Sequence, residues 1–282
     1  MSGRLRWKII GRYWIVSNRQ SRVNQYLGGL FDLSGMSVVV TGASQGLGRQ
    51  IAIALAKAGA HVLATARRKV QLEEVVNEIT AAGGSAVAVP VDLTKEGAAE
   101  TLLAATLEKS GQVDVLVNNA GVSPFVQEPQ AYSEDDWDKI FDLNLRATFF
   151  CARAFGEWMI NEGRSGSIIN LGSVAGLHSI RGVSAYAASK AGVVQLTRSL
   201  AYEWGPNGVR VNALCPGVFD SETTVNLTDR AGRYFKYLLE RVPMARFGRL
   251  EELDAAVVFL ASSGASYLTG VVLTVDGGWS TL

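Results

Sequence analysis

The stretch TGASQGLGRQIAIALAKAGA, residues 41–60, follows the apolar run SVVVT at 37–41 and decides how the rest of the chain is read. A β-branched run, then glycines at 42, 46 and 48, then apolar residues at helical spacing describe a strand, a tight turn and a helix. Gly42, Gly46 and Gly48 allow the backbone to turn sharply and to approach a ligand closely, while Ser44, Gln45 and Leu47 fill the turn between them. The helix that opens there offers unpaired N–H groups and the positive end of its dipole, which suits a pyrophosphate. Taken alone, such a turn is equally a plain strand-to-helix connection. Its place in the first strand–helix unit favours dinucleotide binding, although the spacing is G-x-x-x-G-x-G rather than G-x-G-x-x-G.

Outward from this unit, short β-branched runs alternate with longer helical patterns. The runs are HVLAT (61–65), AVAVPV (86–91), VDVLVN (113–118), GSIINL (166–171), GVRVNAL (208–214) and VVLTV (271–275). Near-continuous Val, Ile and Leu is expected of strands covered on both faces, and the alternation predicts parallel βαβ units. The fold class expected is therefore α/β: a Rossmann-type, doubly wound, parallel seven-stranded sheet with helices on both faces, in a single domain over residues 36–282. A long segment at about 218–250, carrying aromatic and basic residues, is expected as a lid inserted before the final helix.

Composition narrows the function. Of 282 residues 48% are hydrophobic and 19% charged, with 27 basic against 26 acidic residues, so no overall field attracts nucleic acid or a membrane surface. Cys151 and Cys215 sit apart in apolar segments, as expected of buried thiols in a reducing compartment. With only His61 and His178 available, no metal site is expected. Residues 1–35 form a basic arm in which Arg4, Arg6, Lys8, Arg12, Arg19 and Arg22 face one acid, Asp32. The apolar run within it is too short and too charged to span a bilayer. The arm reads as a partner-covering extension in a cytoplasmic protein, as a transit peptide to an organelle matrix, or as an over-extended start.

The second strand should end near the adenosine ribose, and there the chain has Arg67 and Arg68 in place of a carboxylate. A guanidinium binds a 2′-phosphate with a planar fork, whereas an acid repels it, so NADP(H) is favoured with NAD(H) possible. The alternative is a pair of solvated residues at a helix start. Asp92 and Leu93 follow the third strand, and Asn118, Asn119, Ala120 and Gly121 close the fourth as an expected floor for adenosine, at the carboxyl ends where ligands bind in doubly wound sheets. Asp92 serves equally as a helix cap, and Asn-Asn-Ala-Gly as a simple turn.

In SAYAASKAG, residues 184–192, Tyr186 and Lys190 stand one helical turn apart on a common face. As an isolated pair they read as a surface tyrosine beside a snorkelling lysine. Ser173 lies at the end of a strand 13 residues earlier, and Asn144 in a preceding helix. In TGASQGLG, NNAG, Asn144, Ser173, YAASK and CPG (215–217), the chain resembles the classical short-chain dehydrogenase/reductase family from about Phe31 to its end. The resemblance implies a tetrad of Asn144, Ser173, Tyr186 and Lys190. In it Tyr186 exchanges a proton with the substrate oxygen, Ser173 donates to that oxygen, Lys190 holds the nicotinamide ribose and acidifies the phenol, and Asn144 steadies a relaying water. Moving a phenol pKa from about 10 to about 7 takes roughly 4 kcal/mol, which a unit cation about 4 Å away supplies at an effective dielectric near 20, so Lys190 with help from oxidised nicotinamide is expected to ready Tyr186 near neutral pH.

The same resemblance implies that Pro216, Gly217 and Val218 line the nicotinamide and that Ser221 bonds its carboxamide or a phosphate. Threonine is commoner in the family at the place of Ser221. Gln45 stands where many NADP-using members carry a base, which leaves a 2′-phosphate to Arg67, Arg68 and Ser44. Substrate contacts are expected from residues 122–128, from His178 and Arg181, and from the lid. Six basic residues from Arg230 to Arg249 read equally as contacts to an anionic substrate group and as a solvated helix face. Apolar helices around 137–159 and 184–204 suggest burial against other subunits, and the family resemblance implies a homotetramer or homodimer. The expected activity is hydride transfer between nicotinamide and a ketone or secondary alcohol, with a 3-oxoacyl thioester or a sugar- or polyol-derived carbonyl as substrate. The alternatives are an NAD-dependent sugar-acid or polyol dehydrogenase, a nucleotide-sugar epimerase or dehydratase on the same fold, and a catalytically silent cofactor-binding scaffold.

Overall fold

A computed structural model of the protein describes residues 26–122, 126–221 and 232–281. Most of the basic arm and the middle of the expected lid, at 222–231, lie outside the described residues. Seven strands form one parallel sheet: β1 (Ser37–Thr41), β2 (His61–Ala66), β3 (Ser85–Pro90), β4 (Val115–Asn118), β5 (Gly166–Leu171), β6 (Val209–Pro216) and β7 (Val272–Val275). Their order is β3-β2-β1-β4-β5-β6-β7, so the winding reverses between β1 and β4 and opens a crevice above their carboxyl ends. The expected seven strands are all present, with ends shifted by one or two residues in five of them.

Alternation along the central strands divides the interior into two cores. Val38 and Val40 of β1 and Val62 and Ala64 of β2 face one side, with α1 (Gly46–Lys57), α2 (Lys69–Ala81) and α8 (Asp254–Ala261) packed there through Ile51, Leu72 and Val257. Val39 and Leu63 face the other. That side is covered by α3 (Ala98–Ser110), α5 (Ala147–Asn161) and α6 (Ser184–Trp204) through Leu102, Phe155 and Leu200. Two shorter helices complete the set, α4 (Glu134–Phe141) ahead of α5 and α7 (Gly232–Leu239) within the lid segment. A π-helical turn, Asp142–Arg146, joins α4 to α5 and contains Asn144. Helices α5 and α6 approach closely because position 156 is glycine: a Cβ there would stand 2.5 Å from the Trp204 ring.

Residues 26–31 are helical, and Phe31 meets Phe259 of α8 with ring centroids 6.4 Å apart. Leu33 is wholly buried, and its N–H donates to Ala58 O at 2.9 Å. The packed fold thus reaches N-terminal of Met36.

Phe155 is wholly buried at the centre of the second core. Phe155→Ala removes that ring and leaves a cavity, with an expected loss of about 3–5 kcal/mol of unfolding free energy, read from the midpoint shift of a denaturant titration.

Candidate active site

The crevice at the winding reversal is a cleft of about 650 Å³. One wall is the glycine turn, contributing Gly42, Ser44, Gln45, Gly46, Leu47 and Gly48. The turn is locked onto the end of β4 by a small set of bonds. Asn119 Nδ2 donates to Thr41 O at 2.8 Å and to Gly42 O at 3.2 Å. The N–H groups of Asn119 and Ala120 both donate to Thr41 Oγ1 at 2.9 Å. A Cβ at position 48 would lie 2.2 Å from Asn119 Nδ2 and 2.3 Å from Gly42 O, so glycine is required there for space. At position 46 the reason is conformational: φ is +55° and a Cβ would meet nothing within 4 Å, leaving open space over the helix start. Helix α1 begins with no side-chain cap and no acid in its first turn. An uncapped, acid-free helix start opening on a cleft fits a dinucleotide pyrophosphate.

At the outer end of this wall, Arg68 Nη2 donates to Ser44 Oγ at 3.3 Å and also to Gln45 Oε1. Gln45 therefore anchors Arg68 at the glycine turn. Arg67 lines the cleft beside it, as do Asp92 and Leu93. Asp92 Oδ1 accepts from the N–H and hydroxyl of Thr94 at 3.1 and 2.8 Å. Burial pushes its carboxyl up, but those bonds and the charges of Arg67 and Lys95 bring it below its ordinary value. Asn119, Ala120 and Gly121 form the floor. Asn118 does not join them: its Nδ2 turns inward to Asn170 Oδ1 at 2.9 Å, and Asn170 Nδ2 donates in turn to Thr197 Oγ1 at 3.0 Å.

The opposite end gathers Ser173, Tyr186 and Lys190, with Pro216, Gly217, Val218 and Ser221 on the adjoining loop. Ser173 leaves the end of β5, its Oγ accepting from Ala175 N–H at 3.1 Å. Tyr186 and Lys190 share a face of α6, the lysine nitrogen 5.9 Å from the tyrosine ring centroid. Lys190 Nζ donates to Leu171 O at 2.7 Å. Asn144 stands just behind the cleft and is wholly buried. Its Oδ1 accepts from Val122 N–H at 2.7 Å, and its Nδ2 donates to Val122 O and to Ser189 Oγ, each at 3.0 Å. Asn144 thus ties the loop after β4 to α6, one residue from Lys190.

Burial raises the Tyr186 phenol above its ordinary value, with the Ser173 hydroxyl drawing it back down. The same burial pushes Lys190 down to about 8, so the lysine holds its proton loosely.

Two expected substrate contacts, His178 and Arg181, do not line the cleft; Ile180 and Val183, between Ser173 and Tyr186, do. From the lid, Tyr234 and Leu238 line it, four residues apart on one face of α7. Arg181 is instead held through its backbone: its carbonyl accepts from Tyr234 OH at 3.1 Å, and its N–H donates to Tyr237 OH at 3.4 Å. Among the described residues no group of three or more His, Cys, Asp or Glu could hold a metal ion, and no helix is long and apolar enough to cross a membrane.

A doubly wound sheet whose crevice joins a glycine turn to a serine, tyrosine and lysine defines a dinucleotide-dependent protein. Residues 42–280 match the family model described as Enoyl-(Acyl carrier protein) reductase. The 2-dehydro-3-deoxy-D-gluconate 5-dehydrogenase of Escherichia coli (strain K12) is 36% identical over 249 residues, 88% of this chain and 97% of that one. The 3-oxoacyl-(acyl-carrier-protein) reductase of a Synechocystis species is 38% identical over 248 residues, 87% of this chain and 97% of that one. A crystal structure from Beutenbergia cavernae, described as a candidate NAD(P) dependent gluconate 5-dehydrogenase with bound NADP, superposes with a TM-score of 0.84 at 42% identity. It covers 90% of this chain and all of its own. The chain belongs to the short-chain dehydrogenase/reductase family and is an NAD(P)-dependent oxidoreductase acting on a CH–OH or carbonyl group.

Both thiols are buried, which raises Cys151 to about 12 and Cys215 to about 11. A raised pKa keeps a thiol neutral and inert, with a thiolate fraction at pH 8 of about one in a thousand or less. An aromatic disulfide reagent at pH 8 is expected to label neither residue in the native protein and both once denaturant is added.

Proposed function

We propose that the protein is an NADP(H)-dependent reductase of a ketone, run in reverse as a secondary-alcohol dehydrogenase, with Asn144, Ser173, Tyr186 and Lys190 as its working side chains. The observation that carries this reading is that Ser173, Tyr186 and Lys190 face the same cleft as the uncapped glycine turn. The 2-dehydro-3-deoxygluconate and 3-oxoacyl relatives together support a small-molecule carbonyl substrate, either sugar-derived or an acyl thioester. When bound, the nicotinamide supplies hydride exchange with the substrate carbon.

The chain's own groups do the rest. Ser173 and Tyr186 hydroxyls orient the substrate oxygen, and Tyr186 moves a proton to or from it. Donors fixed before the charge appears stabilise it without reorganising. Lys190 grips the cofactor ribose and holds a positive charge beside the phenol. Asn144 acts through others, because its bonds to Val122 and Ser189 fix the loop after β4 and the turn of α6 that carries Lys190. Arg67 and Arg68, with Ser44 and Gln45, would take the 2′-phosphate; the existing Arg68 bonds hold its guanidinium against the glycine turn.

The assembly proposed is a homotetramer or homodimer through α5 and α6, supported by Phe149 at 37% and Tyr202 at 88% exposure on those helices. Two free, buried thiols suit the cytoplasm or another reducing compartment.

Tyr186→Phe is expected to lower kcat by about 10²–10⁴ with NADPH affinity retained, measured by absorbance at 340 nm and by cofactor fluorescence. Unchanged turnover would remove Tyr186 from the reaction. Because burial raises Tyr186, the phenol keeps its proton at neutral pH: reduction is expected to be level near pH 7 and to fall at higher pH. Oxidation, which needs the phenolate, rises through the same alkaline range, and a pH profile of both directions checks the sign. Arg68→Gln removes a charged bond to the 2′-phosphate, so NADPH affinity is expected to fall about 10–100-fold with NADH affinity nearly unchanged.

A further inference from the structure

The substrate end of the cleft has a wall of one chemical kind. Val122, Val126, Val174, Ile180, Val183 and Leu238 face it. Behind them Val174 and Leu238 pack with Val242 and Trp279 into a separate small core, against which Ile180, Val218 and Tyr234 also rest. Apolar side chains are thus backed by apolar side chains.

Of the six lid cations, Arg230 lies outside the described residues, Arg233 does not line the cleft, and the other four are engaged elsewhere. Lys236 pairs with Glu240 at 3.8 Å, while Arg246 and Arg249 pair with Glu252 at 2.7 and 3.3 Å. Arg241 lies 4.6 Å over the Tyr237 ring. None of the four lines the cleft, nor do His178 and Arg181. The Tyr234 hydroxyl, which does reach it, already donates to Arg181 O. Among the described lining residues, the cations are Arg67 and Arg68 at the glycine-turn end and Lys190 at the reaction centre. A polyhydroxy acid desolvated here would bring a carboxylate and several hydroxyls to a wall with few partners, and each group left unpaired weakens binding. A hydrocarbon chain meets no such cost and gains from burial.

We propose that the substrate is a ketone or secondary alcohol carried on an apolar chain, held by the Val122, Ile180 and Leu238 wall, and not a polyhydroxy acid. The inference rests on the reductase reading above. Its test is calorimetric titration of Tyr186→Phe protein loaded with NADP⁺, using the 2-alkanols from butanol to octanol and, in parallel, gluconate. Affinity is expected to climb about threefold to fourfold per methylene along the series, with gluconate weaker than every alcohol beyond the first members. A flat alkanol series, or gluconate binding more tightly than 2-octanol, would overturn the proposal. Ile180→Asn is expected to flatten the slope with NADP⁺ affinity unchanged; an unaltered slope would overturn the place given to that wall. Binding needs no turnover, so a climbing series together with a wild-type enzyme inert toward both 2-octanone and 5-ketogluconate leaves the apolar site standing and removes the reductase reading.

Discussion

The site depends on how closely two strand ends approach one another. Where the winding reverses between β1 and β4, Thr41 and Asn119 bind the glycine turn so tightly that no side-chain atom fits at position 48. This contact holds the start of α1 open to the cleft and forces its N–H groups to face whatever lies there. It also spends the side-chain amide N–H groups and the backbone N–H of Asn119 on structure. The motif that reads as a ligand floor is thereby first a clamp, and its ligand-facing surface is mostly backbone and small side chains. Glycine at 42 and 48 is dictated by crowding, and at 46 by backbone conformation with empty space above it. The one motif therefore answers two separate physical demands.

Much of this was legible in the sequence because it follows from local rules. Strands buried on both faces announce themselves as unbroken Val and Ile runs, and one helical turn sets Tyr186 beside Lys190 whatever surrounds them. Every residue assigned to the cofactor except Asn118 lines the cleft. What was not legible is of tertiary origin. Burial raises the phenol and lowers the ammonium, and helical spacing carries no sign of it. Spacing could not say that Lys190 reaches Leu171 O, or that Asn118 turns inward. The charge count of the lid did not show pairing: Glu252, which takes two of those arginines, lies beyond the segment counted. His178 and Arg181 were singled out for their chemistry, yet Ile180 and Val183 occupy the wall, and only the path of the loop decides which of neighbouring residues faces in.

Charge is therefore distributed unequally along one continuous groove. Its outer end carries two guanidiniums, one already bonded to the glycine turn, and its inner end has a single lysine amid hydrocarbon. An anionic ligand is drawn to the first end, and the second discriminates by shape and dryness. Tyr234 and Tyr237 join these functions to the lid, since their hydroxyls grip the backbone of Arg181 rather than its charge. Substitution of the Arg181 side chain thus leaves the groups used in that grip in place.

The inward turn of Asn118 has a consequence for how the chain finds its alignment. Asn118 in β4, Asn170 in β5 and Thr197 in α6 form a chain of bonds through the middle of a hydrocarbon interior. Sliding β4 by one position against β5 would separate the two asparagines and move Asn118 to the opposite face of the sheet, leaving both amides without their partner in oil. Mispaired arrangements that valines and isoleucines alone would tolerate are penalised by these three side chains. The fold thereby carries an internal check on strand assembly, placed at the centre of the sheet and apart from any ligand.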